Sequence, residues 1–176
     1  MAAPPTLVGM RVRLRTPRID DADTIFAEMA SDPEVTRYLR WAPHSDVGET
    51  RRVIDEIYLG SDSTVWLIEW RATGAFVGVC ELRRPVPHSI ELGYCLSRRW
   101  WEKGIMTEVV TMMIDFARQD PAAYRVWATC NVGNAASARV LEKAGMTLEG
   151  RLARYAVLPN LAPEPQDCLM FATAVR

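Results

Sequence analysis

The first part of the chain switches between two-residue and helical hydrophobic periods. Val12 and Leu14 alternate with arginines, which predicts a strand with one face in solvent. Two helices should follow, because Asp20 and Asp46 each precede a stripe of apolar residues at a position where a side chain caps the first turn. Three strands in quick succession, with prolines ending the second, are then predicted over Val65–Trp70, Ala75–Arg83 and His88–Leu96.

The second part of the chain predicts two more helices and three more strands. Apolar residues at helical spacing indicate an amphipathic helix from Gly104 to about Gln119. The continuous apolar run Val126–Cys130 suits a strand buried on both faces, and Ala135–Ala144 predicts a short helix that a glycine ends. The remaining predictions are two closing strands and, between them, a loop with three prolines: Met146–Val157, Cys168–Val175 and Leu158–Asp167.

The predicted order is β-α-α-β-β-β-α-β-α-β-β, which is typical of an α+β domain built on one mixed sheet. The chain contains no repeat and no low-complexity tract, so residues 1–176 are expected to form a single domain.

Composition narrows the class of protein. With 176 residues, 49% of them hydrophobic and a net charge of -1, the chain is neither disordered nor the strongly basic type that binds nucleic acid. No apolar run approaches the roughly 20 residues that span a bilayer. The opening Met-Ala-Ala-Pro-Pro lacks the basic and apolar regions of a signal peptide. We therefore expect a soluble, cytoplasmic protein with neither nucleic acid nor membrane as a partner.

The cysteines and histidines do not predict a metal site. His44 and His88 are isolated, and no cysteine pair has the spacing of a metal site. The sequence instead predicts four reduced thiols in apolar surroundings: Cys80, Cys95, Cys130 and Cys168.

The basic turn Ser97–Gly104 connects a strand directly to a helix. The free N–H groups of a helix N-terminus bind anions, Gly104 allows close approach of the backbone, and the turn carries Arg98, Arg99 and Lys103. An ordinary strand-turn-helix connection would use the glycine as well, so the turn alone does not settle its role.

Three polar residues follow the buried strand, namely Asn131, Asn134 and Ser137. Asn134 is placed to cap the next helix, and Asn131 can hold the turn. Polar groups at the end of a buried strand also project into the crevice where open sheets bind ligands. Both interpretations remain open for this segment.

These segments together resemble the GNAT superfamily of acyl-CoA-dependent N-acetyltransferases. The branch that the chain looks most like is the RimJ/RimL type, which acetylates the N-termini of ribosomal proteins. Both lysines of the chain, Lys103 and Lys143, fall inside the matching motifs. The segments that carry the resemblance are Arg11–Arg15, Asp20–Asp23, Ser31–Leu39, Ile90–Tyr94, Trp101–Glu108 and Asn131–Met146.

The resemblance implies acetyl-CoA as co-substrate, no metal, and a mostly antiparallel sheet whose central strands splay apart. It implies that pantetheine bonds to the backbone around Cys95 and Leu96, and that Asn131, Asn134 and Ser137 line the other side of the slot. The residues that it assigns to the pyrophosphate loop are Trp101, Glu102, Lys103, Gly104, Ile105, Met106 and Thr107.

Three residues of this loop depart from the family pattern. Trp101 stands where the family usually has Gln or Arg, a mild change in this branch. Met106 replaces a small residue at the close approach to phosphate, and Glu102 adds a negative charge. Loss of turnover through these changes would leave a non-catalytic module that only binds CoA.

Candidate catalytic residues follow from acetyl transfer to an amine. Glu91 is a carboxylate in an otherwise apolar alternating strand and is the candidate general base, although a solvated or Arg-paired Glu91 is an equal alternative. By matching position Ser137 is the preferred general acid, with Tyr155 and Tyr94 as alternatives, and Asn131 lies near the thioester.

The acceptor side of the site is predicted from aromatic residues. Tyr38, Trp41 and His44 cluster where the family builds its acceptor pocket, Tyr94 lies on the slot strand, and the proline-rich loop would form the opposite wall. A core or dimer contact explains the aromatic residues equally well. The expected reaction is direct transfer to a primary amine, with a protein N-terminus first and a small-molecule amine next, by a monomer or homodimer. A purely structural protein is the third hypothesis.

Overall fold

The computed structural model describes residues 4–60 and 62–176, so the interpretation of the N-terminus falls partly on residues 1–3, outside them. Its strands are β1 (Leu7–Val8), β2 (Val12–Arg15), β3 (Thr64–Trp70), β4 (Phe76–Val86), β5 (Ser89–Leu96), β6 (Arg125–Asn131), β7 (Thr147–Leu158) and β8 (Ala162–Ala174). These strands form a mixed sheet in the order β1-β2-β3-β4-β5-β6-β8-β7, which confirms the α+β class.

The α-helices are α1 (Ala22–Ile25), α2 (Pro33–Thr36), α3 (Val47–Val53), α4 (Ile105–Ala117) and α5 (Ala135–Lys143). Wider π-helical turns extend α1 over Phe26–Ala30 and α3 over Ile54–Leu59. None of the helices in the described part of the chain is long and apolar enough to span a membrane.

The described chain divides into two compact units, and β4, β5 and α4 contribute residues to both. The first unit comprises residues 4–36, 43–60, 62–83 and 93–105; the second comprises residues 37–42, 84–92 and 106–176.

In the first unit, strand β2 has one buried apolar face and one face of arginines that form ion pairs. Val12 and Leu14 are fully buried against the sheet core. On the other face Arg13 and Arg15 both pair with Glu69 of β3, and Arg15 also binds Asp21 at 2.6 Å. Burial by itself raises the pKa of Asp21, but hydrogen bonds from the Arg15 guanidinium and the Arg18 amide outweigh it, and the pKa lies below its ordinary value.

The helix starts in this unit are set by carboxylates. Asp46 caps α3 as predicted, because its side chain accepts a hydrogen bond from the Glu49 amide at 2.9 Å. The prediction for Asp20 is wrong by one residue. It is the Asp21 carboxylate that accepts from the Arg18 amide, at 2.7 Å, and Asp21 is held there by its ion pair with Arg15.

The second unit contains the parallel pair of the sheet. The start of β5 runs parallel to β6, with Ser89 opposite Arg125 and Glu91 opposite Trp127. Strand β6 continues to Asn131, where it pairs antiparallel with β8. Among the described residues, the pairing of β5 with β6 thus ends at Glu91. Strand β6, in contrast, stays paired with β8 up to its last residue, Asn131.

The loop predicted for the proline-rich stretch is instead the first half of β8. Ala162 pairs with Leu158 and Gln166 with Ala156, so β7 and β8 form a long hairpin. Pro163 and Pro165 are two residues apart, and both therefore present their missing N–H on the same side of the strand. Pairing of β8 with β6 begins only at Cys168, so these prolines occupy an edge, where proline is tolerated. The end of β4 was likewise predicted too early, at Arg83, because of the prolines that follow; the strand extends to Val86.

Gly78 of β4 tests how tightly β4 packs against the end of β5. A Cβ at Gly78 would overlap the carbonyl oxygen of Cys95 and lie 3.1 Å from the Leu96 Cα. We expect Gly78→Ala to lower the free energy of unfolding by about 2–3 kcal/mol, because backbone cannot move aside as a flexible side chain can. Urea unfolding monitored by circular dichroism measures this loss.

The matched control is Gly150→Ala in β7, where no atom lies within 4 Å of the added Cβ. Its stability should change by less than about 0.5 kcal/mol. Equal stability of the two variants would contradict the packing described for Gly78.

Candidate active site

The turn that leads from β5 into α4 is fastened to the first unit at several points. The Ser97 amide donates to the Val77 carbonyl at 2.9 Å, and a 3₁₀ turn follows over Arg98–Trp100. The Trp100 indole donates to the Phe76 carbonyl at 2.7 Å and stacks on Trp70 with ring centres 5.1 Å apart. These contacts give the basic turn one defined conformation.

Arg98 fastens the same turn to the helical region of the first unit. Its guanidinium forms a forked pair with Asp32, with nitrogen–oxygen distances from 2.6 to 3.0 Å. The hydrogen bond from Arg98 lowers the pKa of the Asp32 carboxyl. Arg98 was predicted as a charge for anion binding, and the structure shows it engaged with a carboxylate.

The last residues before α4 adopt a conformation that glycine favours. Glu102 has φ 61° and Gly104 has φ 66°, so an ordinary L-residue at position 102 is held in the left-handed region. The Arg11 guanidinium donates to the carbonyls of Lys103 and Gly104 at 3.0 and 2.9 Å. The Lys103 ammonium folds back to the Arg99 carbonyl at 2.6 Å.

Helix α4 begins with two residues whose side chains enter the core. Ile105 and Met106 are 1% and 4% exposed. The long side chain of Met106 therefore does not project from the helix start, and the departure from a small residue leaves the amides of the first turn uncovered by it. The first N–H groups of a helix have no partner within the helix and can bind an anion.

The backbone of Cys95 and Leu96, predicted to bind pantetheine, is already partly used. The Cys95 carbonyl faces Gly78 of β4, and the Leu96 carbonyl accepts a hydrogen bond from the Trp101 indole at 2.8 Å. Burial raises the pKa of the Cys95 thiol to about 12, so it is protonated at neutral pH. Trp101 is 39% exposed, so its side chain lies at the surface.

In the second unit, the turn after β6 is built by the two asparagines. The Asn131 side chain is buried; its oxygen accepts from the Gly133 amide at 2.8 Å and its nitrogen donates to the Asp167 carbonyl at 3.3 Å. The Asn134 oxygen accepts from the Ser137 amide at 3.1 Å, which confirms the predicted cap of α5. Both amides therefore hold the backbone that presents Ser137.

Cys130 is a neighbour of Ser137 that the sequence offered only as a core thiol. Burial raises the pKa of Cys130 to about 11, and a hydrogen bond from the Ser137 side chain acts in the opposite direction. The thiol is protonated at neutral pH, so it is a poor nucleophile. The sequence signal that could have identified Cys130 as a neighbour of the candidate site is its position directly before Asn131.

Residues 37–42 bring predicted acceptor and catalytic residues of the second unit together. The Tyr38 hydroxyl donates to the Gly133 carbonyl at 3.1 Å, and the Arg40 guanidinium lies 5.7 Å from the centre of the Tyr155 ring. The Asn160 side chain donates to the Trp41 carbonyl at 2.8 Å. The segment thus connects the turn after β6 with the tip of the β7–β8 hairpin.

Three further predicted residues, His44, Glu91 and Tyr94, are described within their own units. His44 belongs to the first unit, where its ring nitrogen Nδ1 lies 2.8 Å from the Thr50 hydroxyl and burial lowers its pKa. Glu91 is half-buried on β5 in the second unit, and Tyr94 is half-buried in the first. Within residues 4–60 and 62–176, no group of three or more His, Cys, Asp or Glu side chains has a metal-binding arrangement.

Comparisons with known proteins identify the family and the fold of this chain. Residues 11–147 match the family described as Acetyltransferase (GNAT) domain. The uncharacterized N-acetyltransferase p20 of Bacillus licheniformis is 30% identical, over 85% of this chain and 86% of that protein. The GNAT-family acetyltransferase of Bacillus anthracis has the same fold, with a TM-score of 0.86 at 22% identity, covering 97% of this chain and 99% of that one. RimL, a ribosomal L7/L12 alpha-N-protein acetyltransferase solved with coenzyme A, superposes with a TM-score of 0.83 at 22% identity, covering 97% and 98%.

The capping role of Asn134 can be tested by mutation. We expect Asn134→Ala to lower the free energy of unfolding by about 1 kcal/mol, because the cap of α5 is lost. Asn134→Ser keeps a capping oxygen and should stay within a few tenths of the parent, at about 0.3 kcal/mol. Thermal and urea unfolding of the three proteins measure the difference, and equal losses in both variants would argue against a capping role.

Proposed function

Because the chain belongs to the GNAT acetyltransferase family, we propose that it transfers the acetyl group of acetyl-CoA to a primary amine by direct attack in a ternary complex. The observation that carries this proposal is the turn into α4, a basic segment with left-handed backbone at two positions that ends at a helix N-terminus. Family membership supports acetyl-CoA-dependent acetyl transfer in general, whereas the acceptor and the residue roles below are our proposals. The non-catalytic and purely structural alternatives lose support, since a relative is named as an N-acetyltransferase.

The first unit is proposed to bind the pyrophosphate of CoA through the amides of residues 102–105. Three observations support this assignment: the left-handed backbone at Glu102 and Gly104, the buried side chain of Met106, and the positive charge of Lys103. Successive amides at such a turn form a concave anion site, and a pyrophosphate gains from the helix dipole. The backbone of Leu96 is proposed to bind pantetheine after the Trp101 indole releases its carbonyl.

The second unit is proposed to supply the chemistry at the thioester. The hydroxyl of Ser137 is our candidate for protonating the departing thiolate, with Tyr155 of the same unit as an alternative. Tyr94, which belongs to the first unit, is the other alternative. Glu91 is proposed to take the proton from the amine directly or through water. Asn131 and Asn134 act on the cofactor side mainly by fixing the turn that presents Ser137.

The reaction then balances without an enzyme-bound acyl group. The amine nitrogen forms a bond to the acetyl carbon, the carbon–sulfur bond breaks, one proton leaves the nitrogen and one reaches the sulfur. The raised pKa values of Cys95 and Cys130 support direct attack, because neither thiol is ionised enough to serve as an intermediate nucleophile. The thiol of CoA, with a pKa of about 8.5, is a good leaving group and needs only a weak acid.

The acceptor is proposed to be a protein N-terminus of the kind that the RimJ/RimL branch acetylates. Arg37 and Arg40 flank Tyr38 in the segment that forms the candidate acceptor wall, with Arg40 over the Tyr155 ring. Two cations at this position repel a polyamine and favour an amine whose chain carries neutral or acidic groups. A neutral small-molecule amine is the second candidate.

We further propose one catalytic domain over residues 1–176, acting in the cytoplasm as a monomer or homodimer. The family match over residues 11–147 includes segments of both units, which supports a single domain. Four free cysteines suit a reducing compartment.

A CoA-release assay tests the function. The panel contains a peptide with a free acidic N-terminus, the same peptide N-terminally blocked but carrying one lysine, spermidine, and free amino acids. We expect the highest kcat/KM with the free N-terminus, rising with pH toward about 8 as the α-amine loses its proton. Absence of turnover with every amine, despite acetyl-CoA binding, would sink the enzymatic proposal.

Two substitutions test the catalytic assignment. Glu91→Gln and Ser137→Ala should each lower kcat by about 100-fold, because general acid–base groups contribute on that scale. Glu56→Gln, an exposed carboxylate on the π-helical extension of α3, is the control and should leave kcat unchanged. Full activity of Glu91→Gln would return Glu91 to the solvated interpretation, and the pH profile of each variant shows which proton transfer is lost.

Glu102 should have two separable effects: its negative charge should weaken cofactor binding, and its left-handed backbone should lower stability. Glu102→Gly relieves the left-handed backbone and removes a negative charge near the phosphates, so we expect a several-fold lower Kd for acetyl-CoA and a gain of about 1 kcal/mol in stability. Glu102→Gln removes only the charge and should improve Kd without the stability gain. Calorimetric titration and urea unfolding measure both quantities, and a weaker Kd in both variants would contradict a phosphate site here.

A further inference from the structure

Arg11 contacts a part of the first unit that lies far away along the sequence. It stands just before β2, and its guanidinium reaches the two carbonyls that precede α4, those of Lys103 and Gly104, at 3.0 and 2.9 Å. These partners are 92 and 93 residues away along the chain. No sequence pattern connects Arg11 with this turn, and the role of Arg11 in the matching motif was only that of an opening strand.

The planarity of the peptide bond turns this contact into control of amide direction. In a trans peptide the C=O and the N–H that follows point in opposite directions. Holding the Lys103 carbonyl therefore aims the Gly104 N–H away from the guanidinium, and holding the Gly104 carbonyl does the same for the Ile105 N–H. These two N–H groups lie at the start of α4, where donors lack partners within the helix.

The local backbone does not itself restrict the direction of the Gly104 and Ile105 N–H groups, so another group must hold them. Gly104 at φ 66° has no Cβ to restrict it, and an added Cβ there would meet nothing within 4 Å. The neighbouring Lys103 side chain is folded back onto the Arg99 carbonyl and over the Trp100 ring, so it does not hold the two peptide planes. Arg11 binds both of them at once.

We propose that Arg11 is a positioning residue for the cofactor: it orients the Gly104 and Ile105 amides toward the CoA pyrophosphate without itself touching the reacting atoms. This inference rests on the proposed function, because it assumes that the turn binds the phosphates of CoA. The fork of the guanidinium, with two parallel donors, is required; a lysine at position 11 offers a single ammonium and cannot hold both carbonyls in the same plane.

The decisive comparison uses two acetyl donors. Acetyl-CoA carries the pyrophosphate, and S-acetyl-pantetheine carries the same thioester without any phosphate. We expect Arg11→Met to raise KM for acetyl-CoA about tenfold, the scale for loss of hydrogen bonds to a charged group, with kcat nearly unchanged. The kcat/KM for S-acetyl-pantetheine should stay within about twofold of the parent, since no amide binds a phosphate in that substrate.

Two further variants sharpen the test. The control is Arg52→Met, which removes the same charge from an exposed position of α3 in the same unit, so KM for acetyl-CoA should not move. Arg11→Lys should recover less than half of the lost affinity.

Each outcome separates this inference from the proposed function. Wild-type protein that neither binds CoA nor releases it with any amine refutes the proposed function. Wild-type protein that binds CoA, while Arg11→Met binds it equally well in calorimetric titration, refutes only the role of Arg11. Equal losses with acetyl-CoA and S-acetyl-pantetheine would likewise overturn it, since they would show general damage to the fold.

Discussion

The contact between the arginines of β2 and the rest of the first unit is the constraint on which the candidate cofactor site depends. Arg15 and Arg13 fix β2 against β3 through Glu69, and Arg11 extends the same face to the carbonyls before α4. Arg15 is only 16% exposed at its side chain, so its charge is kept in place by two carboxylates rather than by water. A strand that is held in this way provides a rigid support for a turn whose own backbone, left-handed at two positions, would not keep one conformation by itself.

In the second unit a turn is also held by side-chain hydrogen bonds, here mainly from side-chain amides rather than from arginines. The Asn131 side chain, the Asn134 cap and the Tyr38 hydroxyl satisfy the backbone of the turn after β6, and this turn presents Ser137. Asn131 is buried, and a buried polar group without a partner would destabilise the turn, so its contacts are structural. In the proposed function the same contacts also position Ser137. This explains why the two interpretations of Asn131 and Asn134 do not exclude each other: an amide that fixes the turn also fixes what the turn carries.

The elements that sequence patterns predicted well are those whose signals are local. The helix of α4, the strand β6, and the caps Asp46 and Asn134 follow from periodicity and from hydrogen bonds within one turn. The errors have a common cause in tertiary pairing. Pro163 and Pro165 lie within a strand because one side of β8 has no partner there, and Asp21 rather than Asp20 accepts from the Arg18 amide because Arg15 holds its carboxylate.

The sequence by itself determined the fold class and the family resemblance, and it indicated the segments in which we propose that cofactor and acceptor residues lie. Each of these depends on residue types at short spacing, which the chain displays before it folds. Only the tertiary structure decided what those residues do to one another: that Met106 is buried, that Trp101 binds the Leu96 carbonyl, that Ser137 contacts Cys130, and that Arg11 controls peptide planes 92 and 93 residues away. Such contacts depend on which side-chain atoms meet after the strands have paired, and a two-residue period does not contain that information.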